Sequence, residues 1–344
     1  MCVYHNFCQQ TEYLNLMKNS GLFLLLMWFI FLYSGCGTKE DTQPDKPAYE
    51  LSSSAKIPAF DASQAFKNIE KFASFGPRVP NTKEHEAAKN YIISTCTPLA
   101  DSLAKQEFQL NGYDGEKLQL TNIIVSFNPR QTKRILICTH WDSRPWADAE
   151  KDKAKHNTPI LGVNDGGSGV WILLELARIL HDNKTTLGVD LVFFDGEDYG
   201  KHSELNNFCL GSKYFAASKN DYSPAFGILL DLVGDKEAKF YKEENSVQAA
   251  EQVVDLFWES AAKAGAHSFV NEKKYGIYDD HTPLNNAGLR TIDIIDAQLV
   301  GADESLGRRA YWHTLHDTMD NIGEETISDV GKTVTNFIYS LVIN

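Results

Sequence analysis

The chain alternates between short apolar runs and longer amphipathic stretches, a pattern that indicates strands and helices in turn. Three apolar runs predict buried strands, Arg134–Thr139, Val189–Phe194 and Phe226–Val233. Each is short and mainly apolar, as expected for a strand that is covered on both faces. Two further strands are predicted over Thr121–Phe127 and Thr291–Ile295.

Apolar residues recur at helical spacing between and around these strands. The predicted helices cover residues 61–75, 83–95, 170–180, 211–217, 247–265 and 327–342. Strands that alternate with helices are typical of an α/β fold with a mainly parallel, twisted central sheet and helices on both faces. Because no internal repeat or change of composition divides this region, we predict a single domain over residues 57–344.

The N-terminal part departs from this pattern. Gly21–Tyr33 is an almost unbroken apolar run, too short to cross a bilayer comfortably, and it ends in Ser34-Gly35-Cys36. This ending resembles the lipobox of bacterial lipoproteins, in which the cysteine receives lipid. We therefore expect residues 1–35 to be a signal segment, with translation starting at Met17, and Cys36 to be the lipidated residue.

Residues 36–56, from that cysteine onward, are polar and contain prolines, so they are predicted to be a flexible tether. Together, the two segments predict a protein of the bacterial cell envelope that is attached to the membrane by lipid. We expect it to face the periplasm, with exposure at the cell surface as the alternative.

Composition and net charge exclude some classes of binding partner and of fold. The chain has 344 residues, of which 43% are hydrophobic and 23% charged, and its net charge is −13. Lys and Arg form no cluster, which argues against nucleic acid as a partner. Beyond the tether only Cys96, Cys138 and Cys209 remain, an odd number without metal-type spacing, so a disulfide scaffold is excluded.

Carboxylates and histidines end the predicted strands or lie in loops that would meet them. They are His140, Asp142, Asp165, Glu197, Asp198, Asp231 and His313. The carboxyl ends of parallel strands form one edge of a sheet, where ligands bind. Clustered carboxylates repel one another unless a cation is bound, and imidazole with oxygen ligands suits zinc. The sequence therefore predicts that these segments converge on one metal ion, with Asp165 in the glycine-rich turn Ile160–Gly169 at its centre.

These residues resemble those of the glutaminyl cyclase branch of the co-catalytic zinc aminopeptidase superfamily. That branch contains the animal-type zinc enzymes and their bacterial relatives. The sequence motifs FFDGED, LLDLVG, DDHTP and WHT carry the same resemblance. The resemblance implies one zinc ion per chain, held by Asp165, Asp198 and His313. It implies that Glu197 is the general acid/base. Animal enzymes have glutamate at the position of Asp198 and histidine at the position of Asp293.

Further roles follow from the same resemblance. Asp231 and Asp279 match two hydrogen-bonded carboxylates near the substrate amine, and Trp312 matches a tryptophan that lines the pocket. The implied reaction converts the N-terminal glutamine of peptides or proteins to pyroglutamate and releases ammonia. We expect Trp146 to extend the apolar wall of the substrate pocket. We expect Asp142 to orient His140 or to cap a turn.

Two alternatives stay open at this point. An aminopeptidase of the same superfamily would hydrolyse N-terminal residues with two zinc ions, Asp165 bridging them and His140 and Asp231 holding the second. The Asp279-Asp280-His281 motif, and Trp312 directly before the ligand histidine, favour the cyclase. A catalytically silent, lipid-anchored binding protein is the second alternative, and the intact Glu197 argues against it.

Overall fold

A computed structural model of the protein describes residues 48–201, 204–302 and 311–344. The predicted signal segment (residues 1–35) and the predicted lipid site at Cys36 lie outside the described residues. Within the described part, no helix is both long enough and apolar enough to cross a membrane.

A central sheet organises the fold. The strands are β1 (Tyr49–Leu51), β2 (Ser102–Asn111), β3 (Lys117–Phe127), β4 (Arg134–His140), β5 (Gly188–Phe194), β6 (Gly227–Asp231), β7 (Phe240–Lys242), β8 (Phe269–Lys273), β9 (Thr291–Ile295) and β10 (Leu341–Ile343). Six of them form one sheet in the order β2-β3-β5-β4-β6-β9. The pairs β4–β5, β4–β6 and β6–β9 are parallel, whereas β2 and β3 add an antiparallel edge. The prediction of a mainly parallel sheet is therefore confirmed.

Helices cover both faces of this sheet. They are α1 (Ala62–Ala73), α2 (Lys83–Cys96), α3 (Ser168–Asp182), α4 (Leu210–Ala217), α5 (Glu244–Ala264), α6 (His281–Asn286) and α7 (Glu324–Ser340). On one face α3 and α5 contact the sheet, and α1 and α7 pack against them. On the other face lie α4 and α6. The predicted α/β class, with helices on both faces, is confirmed.

Strand β4 shows why the apolar runs are strands. Ile135 and Ile137 point into the larger core beneath α3, whereas Leu136 and Cys138 point into the smaller core beneath α4 and α6. All four side chains are fully buried. Because successive side chains of a strand alternate between faces, a strand covered on both sides is apolar at most of its positions.

The structure differs from the prediction at the tether. Tyr49–Leu51, assigned by sequence to the flexible segment, forms β1 and pairs antiparallel with β10. The ring of Tyr49 packs edge-on against Phe226, and its hydroxyl donates to the carbonyl oxygen of Ala225. These contacts come from distant parts of the chain, so a three-residue strand in a polar stretch carries no local signal. The last helix correspondingly ends at Ser340, and the chain continues into β10.

Candidate metal centre and active site

The carboxyl edge of the sheet gathers the predicted polar residues. His140 is the last residue of β4 and Asp231 is the last residue of β6. Glu197 and Asp198 lie in the turn that follows β5, and Asp165 lies in the turn before α3. Parallel strands end at the same edge, so residues separated by more than sixty positions in the chain become neighbours there.

A first group of donors consists of Asp165, Asp198 and His313. The Nε2 atom of His313 lies 3.5 Å from Oδ2 of Asp165 and 3.5 Å from Oδ1 of Asp198. All three side chains are buried, and their donor atoms lie within 4.8 Å of one another. Two carboxylates and one imidazole supply three protein ligands, the number typical of a catalytic zinc site, which keeps a further position open.

A second group shares one member with the first. The Nε2 atom of His140 lies 3.3 Å from Oδ1 of Asp165 and 3.2 Å from Oδ1 of Asp231. The sequence predicted that all these segments would converge on one metal ion. That prediction was too simple, because the structure divides the donors between two groups that share Asp165.

The first group fits a zinc ion on the observations within it. Oδ2 of Asp198 is buried and has no hydrogen-bond partner. An unpaired carboxylate oxygen is costly to bury, so a cation is the natural partner for it. Burial and the charge of Arg144 lower the pKa of His313 to about 3. The imidazole is therefore neutral at ordinary pH, as metal ligation requires.

The turn that carries Asp165 is fixed by a close backbone approach. Gly166 has φ +73°, and a Cβ atom there would lie 2.0 Å from the carbonyl oxygen of Asp142. The carboxylate of Asp317 accepts the backbone N–H groups of Asn164 (2.8 Å) and Asp165 (3.0 Å). The position of this turn therefore depends both on the absence of a side chain at residue 166 and on a buried acid from the chain's C-terminal part.

Asp142 fixes the turn that carries Glu197 and Asp198. Its Oδ1 accepts the backbone N–H of Glu197 (3.0 Å), and its Oδ2 accepts that of Asp198 (3.2 Å). Oδ1 also lies 3.5 Å from Nδ1 of His140. The side chain thus caps the turn and faces the histidine at once, and sequence reasoning had offered these two roles as alternatives.

Arg78 is a buried cation that ties the metal-binding turns together. Its Nε donates to the carbonyl oxygen of Trp141 (2.8 Å), and its two terminal nitrogens donate to those of Leu161 and Gly162 (2.7 Å each). Longer bonds reach the carbonyl oxygens of Asp142 and Asp165. A guanidinium has five N–H donors in a fixed plane, so it can hold several loops in register at once.

Arg144 contacts the first donor group through Asp198 and, by way of Asp148, through His313. Its Nη1 donates to Oδ1 of Asp198 (2.7 Å), and its Nη2 donates to Asp148 (2.7 Å). Asp148 in turn lies 3.5 Å from Nδ1 of His313. This chain of contacts orients an oxygen donor and an imidazole donor through a single arginine.

Glu197 lies beside the metal group without belonging to it. Its carboxylate neighbours Cys209 and Asp279, and the donor atoms of these three residues lie within 4.8 Å of one another. Burial raises the pKa of Glu197 to about 7, with the charge of Asp231 adding to the effect and that of His140 opposing it. A carboxyl group with a pKa in this range can both accept and donate a proton near neutral pH.

Asp231 and Asp279 do not show a hydrogen bond between their carboxylates. Oδ1 of Asp279 accepts the backbone N–H of Asp280 (2.5 Å), while its Oδ2 is buried and has no partner. Burial raises the pKa of Asp279 well above its ordinary value, and the charge of Asp231 adds to the effect. A proton shared by the two acids stays a prediction.

The two tryptophans occupy different surroundings. Trp312 is buried, and its ring stacks on His313 with a centroid distance of 3.6 Å. Trp146 donates to the carbonyl oxygen of Tyr199 and packs edge-on against Tyr113, at the turn between β2 and β3. Trp312 therefore adjoins the metal group, whereas the described contacts of Trp146 lie along the loop toward that turn.

Comparison with known proteins decides the family. The model of peptidase family M28 matches residues 122–338. The chain belongs to peptidase family M28. A curated aminopeptidase of Bacillus subtilis, YwaD, is 24% identical over 311 residues, which cover 87% of this chain but only 61% of that protein.

Two relatives carry a different activity in their names. The glutaminyl-peptide cyclotransferase of Drosophila melanogaster is 29% identical over 288 residues, covering 76% of each chain. The structure of Bacteroides thetaiotaomicron glutaminyl cyclase bound to N-acetylhistamine is 41% identical, with a TM-score of 0.78. That match covers 83% of this chain and 99% of the bacterial one.

Several residues of this site had no role in the sequence analysis, among them Arg78, Cys209 and Asp317. These three residues acquire their partners only when distant segments fold together, and none lies in a recognisable motif. Cys209 is the one with a local peculiarity, since it adopts φ +54° directly before α4. That conformation is rare for cysteine, and it is visible only in the structure.

The Arg78 contacts generate a prediction about metal binding. Arg78→Met keeps the apolar stem but leaves five carbonyl oxygens without their donor, so the turns around Asp165 should loosen. We expect zinc affinity to fall roughly 10–100-fold, the loss typical when groups that orient metal ligands are removed. Zinc retained after dialysis against graded chelator measures this.

Arg178→Met is the matched control, since Arg178 on α3 is 42% exposed and pairs only with acids of its own helix. It should retain zinc like the unmodified chain. Equal zinc retention by the Arg78 and Arg178 variants would contradict a positioning role for Arg78.

Proposed function

We propose that this protein is a zinc-dependent glutaminyl-peptide cyclotransferase that converts N-terminal glutamine to pyroglutamate and releases ammonia. The observation that carries the proposal is the placement of Glu197. It lies in a buried cluster with Cys209 and Asp279, and it directly precedes Asp198, a member of the Asp165, Asp198 and His313 group. The similarity to named glutaminyl cyclases over most of the chain supports it.

Zinc held by Asp165, Asp198 and His313 would polarise the γ-carbonyl of the glutamine. The remaining work falls to the protein's own side chains. Asp279, with its unpaired Oδ2, is placed to hold the substrate's α-amine, and Trp312 offers an apolar wall to the glutamine side chain.

Glu197 moves the proton. It accepts a proton from the α-amine as the amine nitrogen forms a bond to the γ-carbonyl carbon. It returns that proton to the γ-nitrogen as the bond between that nitrogen and the carbon breaks, and ammonia leaves. One group can perform both transfers because its pKa is raised to about 7.

A two-zinc aminopeptidase is the competing function, and one observation favours it. His140, Asp165 and Asp231 form a second donor group. The Nε2 atom of His140 lies 3.2 Å from Oδ1 of Asp231, a spacing that suits both a hydrogen bond and two ligands of one ion. The similarity to named glutaminyl cyclases over most of the chain is what favours the cyclase.

We also propose that the chain is a lipoprotein, anchored to the membrane through Cys36 and facing the periplasm. The apolar run of the signal segment and the Ser-Gly-Cys ending support this. A tethered cyclase would meet peptides and proteins that have been exported.

The activity is tested with two peptides and the detergent-solubilised full chain. We expect ammonia release from Gln-Ala and no free leucine from Leu-Ala. Glu197→Gln should abolish turnover by at least about 100-fold, the scale of a lost general acid/base, with zinc still bound. Release of leucine, or full activity of the variant, would overturn the assignment.

Zinc content separates the two enzymes independently of turnover. Elemental analysis should give about one zinc ion per chain for a site of three donors that leaves one position open. Asp198→Asn should lose that zinc, whereas His140→Gln should keep it. Two zinc ions per chain, one of which is lost with His140→Gln, would favour the aminopeptidase.

Lipid attachment is tested in cells that are fed radioactive palmitate. We expect the unmodified chain to be labelled and Cys36→Ala to be unlabelled, because the thiol is the site of acylation. Cys96→Ala serves as the control and should be labelled normally. Equal labelling of the Cys36 variant would refute the anchor.

A further inference from the structure

Cys209 is bound to Glu197 through both its backbone and its side chain. Its N–H donates to the carbonyl oxygen of Glu197 (2.8 Å), and its Sγ lies 3.4 Å from Oε1 of the same residue. Cys209 is fully buried and has φ +54°. The left-handed backbone conformation turns the thiol toward the carboxylate, so sulfur and oxygen donors share one small space.

Asp279 completes this group and gives a second, independent sign of a ligand. The donor atoms of Glu197, Cys209 and Asp279 lie within 4.8 Å of one another. Oδ2 of Asp279 is buried without a hydrogen-bond partner. Two carboxylates and a thiol can close around one ion with small side-chain movements, since metal–sulfur and metal–oxygen bonds are about 2.3 Å and 2.0–2.2 Å long.

We propose that Glu197, Cys209 and Asp279 form an inhibitory site for a thiophilic divalent cation, such as Cd²⁺ or zinc in excess. Sulfur selects soft ions over Mg²⁺ or Ca²⁺, and the two carboxylates balance the charge. On binding, the S–H bond breaks, its proton passes to water, and a sulfur–metal bond forms without oxidation or reduction.

The cation would inhibit because it captures the proton-transfer group. This consequence depends on the proposed function, in which Glu197 shuttles the proton and Asp279 holds the substrate's amine. An ion bound to both acids excludes that amine. Inhibition is therefore competitive with the glutaminyl peptide, and the zinc held by Asp165, Asp198 and His313 stays in place.

The other described cysteines lack such surroundings. Cys96 lies in the larger core among apolar side chains, and Cys138 donates to the carbonyl oxygen of Ile228 within the sheet. Burial raises the pKa of all three thiols, but neither Cys96 nor Cys138 belongs to a donor group among the described residues. They provide matched controls of the same residue type and burial.

The site is tested by ultraviolet difference spectroscopy on the zinc-loaded, detergent-solubilised full chain titrated with CdCl₂. A thiolate bound to cadmium gives a charge-transfer absorption. We expect a saturable band in the unmodified chain and in Cys138→Ala, and the loss of its Cys209 contribution in Cys209→Ser. Identical bands in all three proteins would overturn the proposal.

Competition is tested in the same samples. Adding a Gln-Ala peptide should shift the cadmium titration to higher concentration, and cadmium should raise the apparent KM at unchanged kcat. For equal inhibition, Cys209→Ser should need at least roughly tenfold more cadmium. Mutating a group that only orients a metal ligand already lowers metal affinity roughly 10–100-fold, and Cys209→Ser removes a ligand itself. Equal inhibition of the unmodified and serine proteins, with release of the bound zinc, would place cadmium at the catalytic metal site instead and overturn the proposal.

The spectroscopic titration needs no turnover, so its result is independent of the cyclase assignment. A chain that lacks cyclase activity but shows the Cys209 band would overturn only the proposed function. If Cys209→Ser does not fold, Asp279→Asn supplies the test, because it keeps the thiol and nearly the same shape. The asparagine variant should bind cadmium more weakly, and unchanged binding would overturn the site.

Discussion

The crowding of buried carboxylates at one edge of the sheet is the constraint on which the rest of the structure depends. The acids are Asp142, Asp165, Glu197, Asp198, Asp231, Asp279, Asp280, Asp293 and Asp317, all buried. Burial disfavours their charged forms and mutual repulsion adds to the cost. Few cations face them, chiefly Arg78 and Arg144. Such a cluster persists only if some acids stay protonated, others are held by N–H donors, and a metal ion neutralises the remainder.

The buried acids differ in the groups that they contact. Asp142 and Asp317 use their oxygens to accept backbone N–H groups, and they thereby fix the two turns that carry the metal donors. In the proposed function, Asp165 and Asp198 bind the cation. Burial raises the pKa of Glu197 and of Asp279, and in the same proposal these two acids transfer the proton and bind the substrate's amine. Buried carboxylates thus take three roles in the proposal, because their neighbours differ.

The sequence predicted those parts of this arrangement that are encoded locally. Their mainly apolar sequences predicted β4 and β5 as strands, and the polar residues that follow them indicated the edge of the sheet where a ligand binds. Strand β2 was missed because it lies at the exposed margin and alternates little, so its stability comes from pairing with β3. Arg78 could not have been found, since its role consists of carbonyl oxygens supplied by two distant turns. Nothing in the sequence singled out Cys209, and its contact with Glu197 is visible only in the structure.

The same fold supports two chemistries, and the structure shows how narrow the difference is. Asp165 belongs to both donor groups, so every residue type needed for a second metal ion is present. What separates the outcomes is whether His140 and Asp231 bind each other or a second ion. If they bind each other, one zinc ion would act on a carbonyl group, and the attacking group would come from the substrate itself. In the proposed reaction, an α-amine held by Asp279 beside Glu197 is that nucleophile.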